Sequence, residues 1–181
     1  EGEKEEVWFH SLEMVKGRAK VVFGTGSNNT AHAVELSQKA EALGADGLLV
    51  VTPYYNKCTQ NGIYEYYKTV ANAVHIPIIC YNVPPRTGVN ILPATMEKIA
   101  SIDNIAGIKE ACGNMEQICE TMRRIRGKCD LYSGDDNLNL PILAIGGTGL
   151  ISVASNIIPK ETKALYNFMK AGDLKSANEI Q

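Results

Sequence analysis

Gly47-Leu48-Leu49-Val50-Val51 carries no polar side chain. A strand with one wet face alternates apolar and polar residues. A short run that is apolar throughout reads instead as a strand buried on both faces, as in parallel sheets. The flanking residues agree. Upstream, Asn29 or Thr30 can cap a helix that continues through Leu43 and stops at Gly44. Downstream, Thr52-Pro53-Tyr54-Tyr55-Asn56 breaks the run. Ile63, Tyr66, Tyr67, Val70 and Val74 then recur at helical spacing over about 61–74. Helix, buried strand and helix in that order form the unit of a parallel α/β sheet.

The unit repeats along the chain. An amphipathic helix over 3–16, with Val7, Leu12 and Val15 as its apolar points, leads to a short strand Lys20–Phe23. Pro77–Asn82 is a strand that runs into Val83-Pro84-Pro85-Arg86-Thr87-Gly88. Two prolines fix φ there, and Gly88 permits an unusual turn. A helix at about 93–101 opens on Pro93. Asn104–Ile108 is a strand ending in Lys109-Glu110. Met115, Ile118, Met122 and Ile125 mark one face of a helix closed by Gly127. Asp130–Ser133 is a strand, a helix covers about 136–145, and Leu150–Val153 is a sixth strand after a glycine turn. A helix from Pro159 to Met169 follows, and one more begins at Asp173.

Six strands alternating with helices through short loops predict right-handed βαβ units and a parallel sheet. Both an open doubly wound sheet and a (β/α)8 TIM barrel fit. Six strands do not close a barrel of eight, and the chain opens on a helix and ends inside one. The expectation is therefore an incomplete barrel, strands 3 to 8, with two strands missing upstream and further material missing downstream. Residues 1–172 read as a partial catalytic barrel, and 173–181 as the start of a C-terminal helical region.

Bulk properties narrow the function. The 181 residues carry 18 Lys and Arg against 20 Asp and Glu, a net charge of −2 that gives no nucleic-acid footprint. No apolar run reaches membrane-spanning length, and the acidic opening is not a signal peptide. Five cysteines with no C-x-x-C pair supply neither a disulfide framework nor metal-ligand spacing. They read as mostly buried free thiols in a reducing cytoplasm.

Lys109 shares a strand face with Gly107 and Ile105. If that face points into a barrel, desolvation lowers the amine pKa and makes it a nucleophile for carbonyls. Tyr54-Tyr55 and Tyr81 offer phenols for proton transfer, and Arg86 offers a fork for a carboxylate. Taken singly, each has a plainer reading: a solvated lysine, aromatic caps on a core, a surface arginine. Taken together, Tyr55, Tyr81, Lys109 and Ser133-Gly134 all fall at the C-terminal ends of predicted strands, the active-site face of a barrel.

The successive segments Gly24-Thr25-Gly26-Ser27-Asn28, Val51–Asn56, Tyr81–Gly88, Gly107-Ile108-Lys109-Glu110-Ala111 and Ser133-Gly134-Asp135-Asp136 resemble, in order, the motifs of the dihydrodipicolinate synthase family of pyruvate-dependent class I aldolases. The resemblance spans nearly all of 19–158. It implies a lyase that forms a Schiff base between Lys109 and pyruvate, with Tyr81 and Tyr55 as proton carriers. It implies Arg86 as the ligand of the aspartate semialdehyde carboxylate, and backbone groups of Gly134 and Ile151 lining the pocket. The product would be 4-hydroxy-tetrahydrodipicolinate, on the way to diaminopimelate and lysine. No metal or organic cofactor is implied. A homotetramer built from dimers is implied, with Tyr55 reaching a neighbouring subunit.

Sialic-acid lyases and keto-deoxy-sugar-acid aldolases share the lysine and tyrosine, and Arg86 is what favours the synthase. A non-catalytic barrel binding a small acid is the distant alternative. Two departures stand out. The family's Gly-Thr-Thr-Gly motif is absent, so the chain alone is expected to be nearly inactive. In the family's lysine effector site, Asn28 and Tyr54 match, but His32 stands in place of a glutamate, which implies weak or absent lysine inhibition.

Overall fold

The computed structural model describes residues 2–181. Six parallel strands form one sheet: β1 (Val22–Gly24), β2 (Gly47–Val51), β3 (Ile78–Asn82), β4 (Ile105–Glu110), β5 (Asp130–Ser133) and β6 (Gly149–Leu150). Between them run α1 (Gly2–Val15, before β1), α2 (Thr30–Ala42), α3 (Gln60–Ala71), α4 (Pro84–Thr87), α5 (Pro93–Ile99), α6 (Met115–Ile125), α7 (Asn139–Ala144), α8 (Pro159–Ala171) and α9 (Leu174–Ile180). The strands lie side by side in chain order, with no reversal. A doubly wound sheet needs a reversal at its switch point. Sequential order with a helix after each strand curls the sheet into part of a barrel.

Strand alternation gives the sheet two unlike faces. Leu48, Val50, Ile78, Cys80, Ile108 and Leu131 point outward under the helices and are fully buried. Each of the aliphatic side chains among them contributes roughly 1.5–3 kcal/mol through removal from water. The inner face carries Leu49, Val51, Ile79, Tyr81, Lys109 and Tyr132. All of these except Lys109 are half-buried, so the apolar run of β2 is fully covered on its outer face and partly covered on its inner face. Helix ends are held locally. Asn29 accepts from the N–H groups of Ala31 and His32, Thr59 from Gly62, and Asn114 from Gln117.

Several expectations change. The anchor of α1 is Trp8, stacked on Phe23 at 5.0 Å, with Leu12 packed against the same core; Val7 is exposed. The sixth strand pairs only over Gly149–Leu150, because the Asp136 carboxylate takes the N–H groups of Val153 and Ala154 and turns the chain away. The expected helix 136–145 splits into a 3₁₀ turn, Asp136–Leu138, and α7. The proline turn is itself a single helical turn, α4, with Pro84 and Pro85 at its start and Gly88 closing it at φ +73°. Of the five free cysteines only Cys80 is fully buried; Cys119 is exposed and the other three are half-buried. No helix among the described residues is long and apolar enough to cross a membrane.

Candidate active site

Register brings the site together. Tyr81 on β3 stands opposite Lys109 on β4, and Lys109 stands opposite Tyr132 on β5. The Lys109 amine lies over the Tyr81 ring, 4.1 Å from its centroid, a cation–π distance. Lys109 is only 8% exposed. Burial pushes its pKa below the usual 10.5. The Asp136 carboxylate opposes that shift, and the Arg86 guanidinium adds to it. The Tyr81 hydroxyl is pushed up by burial and pulled back by Arg86. Lys109, Tyr81 and Arg86 thus feel one another electrically at the C-terminal end of the sheet. A partly desolvated amine that gives up its proton more readily than a free lysine is a carbonyl nucleophile.

A hollow of about 370 Å³ opens here, lined by Gly24, Leu49, Val51, Tyr54, Tyr81 and Arg86 among others. Its far wall depends on Gly26, where a β-carbon would overlap the main chain of Val51. The Tyr66 hydroxyl fastens the same corner, accepting from Ser27 N–H and donating to the Val51 carbonyl. A larger hollow, about 490 Å³, lies between β6 and α8. Its charged lining side chain, Lys163, lies over the Tyr166 ring instead of converging with others. Lys109, Tyr81 and Arg86 do converge at the strand ends, which makes that end of the sheet the candidate site.

The remaining site candidates fall into two groups. Gly134 packs directly on the Lys109 stem. Its N–H donates to the Glu110 carbonyl, and that of Ile151 donates to the Ser133 carbonyl. Both N–H groups are thus committed to the sheet, and neither residue lines the hollow described above. Tyr54 lines the hollow and is 40% exposed. Tyr55 does not join it. This residue is 88% exposed in a left-handed backbone conformation at φ +75°, unusual and strained for a tyrosine. Asn28 sits on the neighbouring loop, where its carbonyl accepts from the Asn56 amide. His32 lies on the first turn of α2, its Nδ1 3.6 Å from Glu35.

Residue-by-residue reading missed Asp136, Asn82 and Glu110. Asp136 is the negative charge that Lys109 feels most, held low by hydrogen bonds from Ser152, Asn139 and the main chain of 153–154, against the pull of burial. Asn82 and Glu110 are buried polar residues on the otherwise apolar outward face of β3 and β4. That mismatch was visible in the sequence and is the signal that could have found them. Among the described residues no group of three His, Cys, Asp or Glu side chains is placed to hold a metal ion.

The chain is 51% identical over 170 residues to the 4-hydroxy-tetrahydrodipicolinate synthase of Caldicellulosiruptor bescii, covering 94% of this chain and 57% of that protein. It is 49% identical to that of Clostridium tetani, covering 100% and 62%. Solved dihydrodipicolinate synthases superpose closely. That of Aquifex aeolicus gives a TM-score of 0.96 at 48% identity over 99% of this chain and 61% of the other. That of Thermotoga maritima gives 0.97 at 42% over 99% and 62%. The chain therefore spans about 60% of the length of the relatives it matches. The model of the dihydrodipicolinate synthetase family matches residues 1–181, and with the identities above this shows that the chain belongs to that family.

Proposed function

We propose that the whole protein condenses pyruvate with aspartate semialdehyde to 4-hydroxy-tetrahydrodipicolinate through an imine on Lys109. The observation that carries this reading is the Lys109 amine, nearly buried, lowered in pKa and held 4.1 Å from the Tyr81 ring at the strand ends. The neutral amine attacks the ketone carbon of pyruvate. Water leaves from the resulting carbinolamine, and Tyr81 carries the protons that this exchange requires. The imine nitrogen then accepts the electron pair released when the pyruvate methyl loses a proton. The enamine carbon attacks the aldehyde, and the amine of the second substrate displaces Lys109 as the ring closes.

Arg86 holds the carboxylate of the second substrate by a charge-assisted fork. Tyr55, exposed and strained, completes the proton path of a neighbouring copy in a tetramer built from dimers. The free state of all five cysteines accords with a cytoplasmic enzyme.

The test is borohydride reduction in the presence of pyruvate. Lys109 should be labelled in the whole protein, and Lys109→Ala should abolish the label. A substrate panel then separates this reading from a sialic-acid or sugar-acid aldolase. Arg86→Ala should impair use of aspartate semialdehyde far more than imine formation. Equal loss of both would remove Arg86 from its assigned role.

A further inference from the structure

Asn82 and Glu110 follow Tyr81 and Lys109 by one residue. Alternation therefore turns their side chains to the opposite, helix-covered face. Both are fully buried, and they are paired in register. Asn82 Nδ2 donates to both Glu110 oxygens, at 3.0 and 3.1 Å, and to Asn90 Oδ1 at 2.9 Å. Asn82 Oδ1 accepts the N–H of Ile91 at 2.9 Å. Glu110 Oε1 also takes the N–H of Cys112 at 2.9 Å. From α6, Gln117 exchanges two amide hydrogen bonds with Asn90, at 2.7 and 3.0 Å, and donates to the Ile91 carbonyl.

The arrangement closes a ring around one functional loop. Residues 83–90 leave the sheet at Asn82 and return at Ile91, with Arg86 between. The loop's internal bonds, Arg86 N–H to Val83 and Gly88 N–H to Pro84, make it a stiff unit. What remains adjustable is how that unit is seated: Tyr55 N–H donates to the Thr87 carbonyl and Gln60 holds Asn90 and Leu92 from the α3 side, while the Glu110–Asn82–Ile91 chain ties the unit to β3 and β4. A buried carboxylate costs desolvation energy that an apolar pair would avoid. An apolar pair could not hold the Ile91 N–H.

We propose that Glu110, acting through Asn82, is a positioning residue for Arg86. It governs the use of the second substrate and not the formation of the lysine imine. This rests on the reading of Lys109 and Arg86 given above. In the whole protein, Glu110→Gln should raise KM for aspartate semialdehyde by about tenfold while KM for pyruvate and borohydride trapping stay within about twofold, a split that global loosening does not produce. In an Arg86→Ala background the same substitution should add little, because the two act as one unit. Gln117→Ala, on half-buried α6, loosens only the return end and should move the same KM in the same direction by less. It carries the test if Glu110→Gln fails to fold.

Equal movement of both KM values, or an undiminished effect without Arg86, overturns the proposal while leaving the imine reading intact. Absence of trapped pyruvate on the unsubstituted protein overturns the imine reading, and the role of Glu110 falls with it.

Discussion

A β-carbon on residue 134 would stand 2.8 Å from both Cγ and Cε of Lys109. The backbone after β5 therefore forms one wall of the lysine channel, and only a glycine lets it come that close. Gly134 has no left-handed φ, so the constraint is space and not conformation. Gly134→Ala should push the Lys109 stem aside. Overpacking of this kind costs about 1–3 kcal/mol, so stability should fall by that amount and pyruvate trapping by about tenfold or more. Denaturant melts and mass spectrometry of the trapped adduct measure the two. Unchanged trapping would mean that the stem has room to move.

The pH dependence of imine formation has a definite sign. Burial lowers the Lys109 pKa from 10.5, and the neutral amine is the reactive form. The trapping rate should rise with pH along a limb centred below 10.5. Asp136 raises that pKa, so Asp136→Asn should move the limb lower. Arg86 lowers it, so Arg86→Ala should move the limb higher. Shifts in the reverse directions would show that these charges do not reach the amine.

Glu110 should leave a mark on stability of the opposite kind. Burial raises its pKa above the ordinary 4.5. Between 4.5 and that raised value the folded state binds more protons than the unfolded one, so stability falls as pH rises through the window. Gln has no such proton. Glu110→Gln should therefore gain on the unsubstituted protein as pH rises from 4.5, even though it loses one acceptor for Asn82. Denaturant unfolding at a series of pH values reads the gap. A gap independent of pH would sink the idea.

The resemblance implies a lysine effector site in which Asn28 and Tyr54, on the loops after β1 and β2, match and His32 of α2 stands in place of a glutamate. We propose that a cationic effector lacks that charge-assisted partner in this protein. The whole protein should show weak inhibition by lysine, and His32→Glu should strengthen it by about tenfold, the worth of one hydrogen bond to a charged group. Strong inhibition of the unsubstituted protein by micromolar lysine would contradict this.

Sequence by itself determined the alternation of six strands and their helices, and which residues end β2 to β5. Both follow from local physics: side-chain period, caps, and the stops imposed by proline and glycine. It also placed Lys109, Tyr81 and Arg86 as candidates, because strand ends are legible. In α1 the structure buries Trp8 and leaves Val7 exposed, because period alone does not say which of two adjacent apolar residues meets Phe23.

The tertiary structure decided the rest. Sheet order, which separates a barrel from a doubly wound sheet, depends on contacts between residues far apart in the chain, and periodicity carries no information about them. The same holds for the early end of β6, where Asp136 reaches across to capture two N–H groups. It holds for Tyr55, whose position in the sequence suggested the pocket and whose backbone turns it outward. The register of β3 on β4 is the most consequential case. One pairing sets Tyr81 beside Lys109 on the inner face and Asn82 beside Glu110 on the outer face, and a slip of one residue would exchange the two faces.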